Sequence, residues 1–126
     1  MIFGGNWMSE AKFQRFLTSN PLLLIAYTGN KAIGFKAGYQ VNERTFHSWL
    51  GGVHPEFRQQ GIAQRLLEKQ EEWVRSQGFV RITFNTYERY AAMMRFSEKN
   101  GYALIRSEMV DGEMKYFYEK RLKRNP

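Results

Sequence analysis

Val53-His54-Pro55-Glu56-Phe57-Arg58-Gln59-Gln60-Gly61-Ile62-Ala63 is the stretch on which the reading of this chain turns. The residues before it, Ser48-Trp49-Leu50-Gly51-Gly52-Val53, form an apolar run that reads as a strand. His54-Pro55 ends that run, because proline offers no N–H to a ladder. A short polar turn with Arg58, two glutamines and Gly61 follows, after which apolar residues recur at helical spacing. A strand that passes through a glycine turn into a helix leaves unpaired backbone N–H groups around one point, and the helix dipole adds partial positive charge there. Such a point binds phosphate. Gly61 lets the backbone approach a ligand closely, and the small Ala63 leaves the helix start uncovered.

Around this turn the chain reads as an alternation of elements. Ser9 caps a short helix over residues 9–17, with Phe13, Phe16 and Leu17 on one face. Asn20-Pro21 stops it. Residues 22–27 and 32–39 form a hairpin through Thr28-Gly29-Asn30-Lys31, and a third strand runs from about Thr45 to Val53. The helix after the turn extends from Gly61 to about Gln77. It points Ile62, Leu66, Leu67, Trp73 and Val74 inward and leaves Glu68, Lys69, Glu71 and Glu72 largely outside. The strand over 79–85 arrives after a helical crossover and is expected to lie parallel to the third. A helix over 89–99, with Met93 and Phe96 read as core, ends at Asn100-Gly101. Strands over 102–109 and 113–121 then flank Asp111-Gly112, a hairpin signal.

Two motifs carry a family resemblance. Arg58-Gln59-Gln60-Gly61-Ile62-Ala63 resembles the Arg/Gln-x-x-Gly-x-Gly/Ala signature of the Gcn5-related N-acetyltransferase (GNAT) superfamily, and Val53-His54-Pro55-Glu56-Phe57-Arg58 is similar to the end of the family's preceding strand. Phe96-Ser97-Glu98-Lys99-Asn100-Gly101-Tyr102 resembles the family's Leu/Phe-Tyr-Glu-Lys-x-Gly-Phe. The resemblance spans roughly residues 10–121. It implies one domain over residues 1–126, of mixed α/β class. The expected fold is the GNAT-like acyl-CoA N-acyltransferase fold, a mostly antiparallel central sheet with one parallel, splayed strand pair. The front departs from the pattern: only eight residues precede the first helix, so the first strand and one helix are shortened or missing, which leaves the acceptor open.

The activity the resemblance implies is transfer of an acetyl group from acetyl-CoA to a primary amine by direct attack. The alternative is a non-catalytic acyl-CoA-binding sensor or interaction module. Backbone N–H groups of Gln59, Gln60, Gly61, Ile62 and Ala63 are assigned to the pyrophosphate, with side-chain contacts from Arg58 and Gln60. Gly51, Gly52 and Val53 are assigned to the pantetheine arm, which inserts as if it were a strand. Two adjacent glycines weaken a strand, so close backbone approach accounts for them, as a simple bulge also does.

For the base, His47 lies an even number of residues before Val53, so alternation puts both on one side, and its ordinary pKa suits proton uptake near neutrality. Glu43 and Glu88 are alternatives. For the acid, Ser97 occupies a position where many family members carry tyrosine. Ser97 or an ordered water serves, or Tyr90 substitutes, or acid catalysis is dispensed with. His54 reads as structural.

Bulk properties narrow the rest. The net charge of +7, from 19 Lys+Arg against 12 Asp+Glu, invites nucleic acid, but solubility or an anionic cofactor in a basic groove accounts for it, and nucleic acid is not the expected partner. The densest basic run, Lys120-Arg121-Leu122-Lys123-Arg124, reads as a solvated tail. Ten Phe, seven Tyr and three Trp argue against disorder. No apolar run approaches the ~20 residues of a membrane span, and Met1-Ile2-Phe3-Gly4-Gly5 does not read as a signal peptide. With no cysteine and two histidines, no disulfide framework or metal site is expected. The partner the resemblance implies is a small-molecule or peptide amine, and the bulk properties read as a cytoplasmic protein with no membrane. A homodimer is compatible with the open front.

Overall fold

The computed structural model describes residues 9–123. Helix α1 (Glu10–Thr18) starts at Ser9, whose hydroxyl accepts a hydrogen bond from the Lys12 N–H at 3.2 Å. Strands β1 (Leu22–Thr28), β2 (Lys31–Gln40) and β3 (Thr45–Val53) follow, then a single 3-10 turn at Pro55–Phe57, helix α2 (Ile62–Ser76), strand β4 (Arg81–Tyr87), helix α3 (Ala91–Lys99), and strands β5 (Ala103–Val110) and β6 (Glu113–Arg121). They form one six-stranded sheet of order β1-β2-β3-β4-β6-β5. Every neighbouring pair is antiparallel except β3 and β4, which are parallel as a helical crossover requires.

The core lies between the sheet and helices α2 and α3. Phe46, Ile82, Val74 and Tyr118 are fully buried there, and Leu67, Phe79 and Tyr102 close the cluster. Phe46 packs edge-on against Trp73 at 5.7 Å, and Phe84 stacks on Tyr118 at 5.0 Å. Two groups read as solvent-facing or unremarkable on α2 belong to this interior. Glu71 is buried, accepting from the Tyr102 hydroxyl and the Lys120 ammonium at 2.9 Å each. Gln70 is wholly buried, and neither its amide oxygen nor its nitrogen has a hydrogen-bond partner among the described residues. Met93 is the converse: exposed rather than core, with Met94 packing inward in its place.

The far face of the sheet is covered in part by α1. Phe16 packs on Trp49 at 5.3 Å, Trp49 meets Tyr39, and Tyr39 meets His47 at 5.4 Å. Leu23, Ile25, Phe13 and Leu17 are exposed.

The β2–β3 register carries a correction to simple alternation. Ala37 pairs with Leu50 and Gly38 with Ser48, so Trp49 is an extra residue, a β-bulge. The bulge changes the phase of β3. His47 therefore shares the α1 face with Tyr39 and Trp49, whereas Val53, opposite Gly34, lies on the α2 face. The two residues face opposite sides of the sheet. The first eight residues, on which the reading of the N-terminus rests, and Arg124 of the basic run lie outside the described residues.

Candidate active site

Strands β3 and β4 stay together for only three ladder pairs, Thr45 with Arg81, Phe46 with Ile82 and His47 with Thr83. Beyond them the strands diverge, while β3 continues along β2 as far as Val53. From Ser48 onward the edge of β3 that faces β4 is thus unpaired among the described residues. Into this gap opens a cavity of about 570 Å³, walled by Lys36, Gly51, Gly52 and Val53 on one side and by Tyr90, Met93 and Phe96 on the other. Such volumes fall in the range of small-molecule sites.

The cavity continues, through the shared residues Val53, Arg58, Ala63 and Phe96, into a second one of about 390 Å³ at the start of α2. Gln59 (φ 62°) and Gly61 (φ 79°) are both left-handed there, which turns the chain sharply into the helix. No side chain caps α2, and the first helical bond is donated by the Arg65 N–H to the Gly61 carbonyl. The N–H groups of Ile62, Ala63 and Gln64 consequently have no partner among the described residues. A Cβ on Gly61 would meet nothing within 4 Å, so the space over the turn is open. Arg58 donates from Nε to the Val53 carbonyl at 3.2 Å, which fixes its guanidinium beside the turn, and Lys99 adds a second cation. Gln64 and Asn100 exchange amide hydrogen bonds at 2.8 and 3.1 Å and tie the start of α2 to the end of α3.

The residues singled out from the sequence distribute as follows. Gly51, Gly52, Val53, Arg58 and Ala63 line the gap cavity, and Gln59, Gly61 and Ile62 line the turn. Gln60 lines a separate groove near Tyr27 and Arg65. Tyr90 stands at the mouth of the cavity under the Arg89 guanidinium, 4.7 Å from its ring. Ser97, two turns further along α3 or roughly 10 Å along its axis, is buried at the floor beside Lys36, Ser48 and Tyr102. His54 accepts the Glu56 N–H at 3.2 Å and so caps the 3-10 turn.

His47 closes the crotch of the gap from the α1 face, its Nδ1 2.9 Å from the Thr83 hydroxyl. Burial pushes its pKa down to about 4, and the Lys115 ammonium acts in the same direction. The imidazole is neutral at physiological pH. Beside it, α1 and β2 enclose a groove of about 310 Å³ lined by Lys12, Arg15, Phe16, Ser19, Tyr39 and Trp49. Sequence reasoning missed Lys36, Lys99 and Gln64. The signal for Lys36 was a lone charge inside a glycine-flanked strand.

A sheet that parts at one parallel pair, with a glycine turn and an uncapped helix at the end of the opening, defines an acyl-CoA-type fold, and comparison with known proteins agrees. The family model described as the acetyltransferase (GNAT) family matches residues 2–102, and the chain belongs to that family. Its fold is similar to that of a GNAT family acetyltransferase from Elizabethkingia anophelis solved with acetyl-CoA bound (TM-score 0.76, 18% identity, covering 90% of this chain and 84% of that one). It is also similar to Ard1 from Thermoplasma volcanium (0.82, 14%, 94% and 83%) and to the ribosomal-protein-S18-alanine N-acetyltransferase from Escherichia coli (0.80, 18%, 94% and 80%). No curated protein matches the chain. Among the described residues no helix is long and apolar enough to cross a membrane, and no group of three His, Cys, Asp or Glu side chains could hold a metal ion.

Proposed function

We propose that this chain transfers an acetyl group from acetyl-CoA to a primary amine by direct attack. The observation that carries the proposal is the continuous opening from the β3–β4 gap to the uncapped start of α2. A strand-like arm with a pyrophosphate at its end fits that shape. The unpaired edge of β3 offers backbone donors and acceptors to the arm, and the α2 N–H groups, Arg58 and Lys99 offer positive charge to the phosphates.

Acetyl-CoA supplies an activated thioester carbonyl. The protein holds it by two separated anchors, so the reacting carbon is confined to the gap, and most of the rate gain comes from that confinement. The acceptor, a small-molecule or peptide amine, enters from the α1 face through the groove beside His47. His47, neutral and bonded to Thr83, can accept a proton there, directly or through water, but its low pKa makes it a weak base. No serine, threonine or cysteine lies among the described residues lining the gap, in keeping with direct attack.

A second reading, a coenzyme-A-binding module without turnover, is favoured by the short, buried Ser97 at the cavity floor. Calorimetric titration with acetyl-CoA tests what both readings share. The wild type is expected to bind saturably and Gly61→Trp to lose binding. Absence of binding to the wild type at millimolar ligand would refute both. Thiol release with an amine panel separates enzyme from module.

A further inference from the structure

Among the described residues three cations line the gap cavity, Lys36, Arg58 and Arg89, and Lys36 is the one carried by a strand, β2. It pairs across the ladder with Gly51, and because Gly51 has no side chain, Lys36 Nζ lies 3.9 Å from where that glycine's Cβ would be. The side chain lines both the main cavity and the small recess, about 20 Å³, that it shares with Ser48 and Ser97. We propose that Lys36 is a catalytic residue of the transfer reaction, the ammonium that protonates the departing thiolate. The inference rests on the acetyl-transfer reading above.

The surroundings explain why this group is available. Among the described residues Lys36 makes no ion pair or side-chain hydrogen bond. Ser48 faces it from β3, Ser97 from α3 and Tyr102 from beyond α3, and none of these carries a charge at neutral pH. Arg58 and Arg89, which line the same cavity, are cations and cannot pair with Lys36. The carboxylate that acts on it, Glu71 of α2, already accepts from Tyr102 and Lys120. Burial pushes the Lys36 pKa down to about 8, and the Glu71 charge offsets only part of that. A cysteine thiol titrates near 8.5, and an alkyl thiol without a neighbouring amide is more basic. Proton transfer from Lys36 to the departing thiolate therefore runs downhill. An apolar residue would serve the fold better at this position, since an uncompensated ammonium in a half-buried wall destabilises it.

In the step itself the amine nitrogen attacks the thioester carbonyl carbon and the C–N bond forms. The C–S bond breaks, and the sulfur electron pair takes the proton from Nζ. The proton lost by the acceptor nitrogen goes to solvent, from which Lys36 is recharged. Lys36 lines both the main cavity and the recess at Ser97, whereas Tyr90 lines only the first and the short Ser97 only the second.

The test compares wild type, Lys36→Met and Lys36→Arg. The thiol of bound coenzyme A, followed by thiolate absorbance, is expected to titrate below its free value in the wild type, and about one pH unit higher in Lys36→Met. Lys36→Met is expected to bind acetyl-CoA within about twofold of wild type while kcat falls about 100-fold. Lys36→Arg keeps the thiol titration low but does not restore kcat, because guanidinium does not give up a proton. An unchanged thiol titration in a Lys36→Met protein that binds normally overturns the assignment alone. Full turnover by Lys36→Arg, or a stable acetyl group on Lys36 by mass spectrometry, overturns it too. Failure of the wild type to bind coenzyme A overturns the acetyl-transfer reading and this assignment together.

Discussion

The two faces of the sheet are built to opposite rules. On the α2 and α3 face, aromatic and aliphatic side chains close over a core in which Glu71 is held by Tyr102 and Lys120, and Lys36 stands in the wall of the adjoining cavity. On the α1 face, one short helix covers a strip around Trp49, and Leu23 and Ile25 remain in solvent. On the function proposed above, the first face would hold the donor in one pose, and the second would meet an acceptor that the described residues shape only loosely. His47 and Lys36 stand on opposite sides of the same divide, at the one place where the sheet lets the two faces communicate.

Three changes would break or sharpen this contrast. The largest effect is expected for Gly38→Ala. A Cβ there would sit 2.4 Å from a Phe46 ring carbon and 2.6 Å from the His47 carbonyl oxygen, and the second atom is backbone. Chemical denaturation should show a loss of about 3 kcal/mol or more, because neither β3 nor the core can yield.

His47→Ala acts on the other face. Turnover is expected to fall about tenfold, with affinity for acetyl-CoA unchanged by calorimetry. The same variant should alter acid stability in a defined direction. Folded His47 titrates at about 4, below the 6.5 of an unfolded histidine, so the unfolded chain binds more protons between those values. Its contribution is complete above pH 6.5 and is lost as pH falls towards 4. Melting curves across that window should therefore be flatter for His47→Ala than for wild type. Equal slopes would show that His47 is not held neutral by the fold.

The smallest effect is a gain. Gln70 is fully buried with both amide atoms unpartnered among the described residues. Gln70→Leu removes that desolvation penalty and should stabilise the protein by about 1 kcal/mol, raising Tm by about 4 °C. A lower Tm would mean that the amide has partners within the closed face.

Most of the element order was legible because it follows from local chemistry. Ser9, Gly61, Gly78 and Asp111-Gly112 each mark an end or a turn through their own conformational preference, and the helical and alternating periods lie between them. The left-handed glycine turn into α2 was legible for the same reason. What escaped was non-local. The bulge at Trp49 exists only because β2 pairs around it, and one extra residue moves His47 to the other face from Val53. Glu71 looks like its solvated neighbours on α2 until Tyr102 and Lys120, 31 and 49 residues away, are brought against it. Lys36 is informative only beside Gly51, fifteen residues on but directly across the ladder.

The three rungs joining β3 to β4 also have a mechanical meaning. Among the described residues they are the only ladder between the half-sheet β1-β2-β3 and the half-sheet β4-β6-β5. The seam along which the domain would open is thus the one onto which the gap cavity opens. A strand-like arm seated there acts as a splint, adding hydrogen bonds where the protein has left out its own, and binding is coupled to the cohesion of the whole sheet. Amide exchange at Phe46, His47 and Ile82 reads that coupling directly.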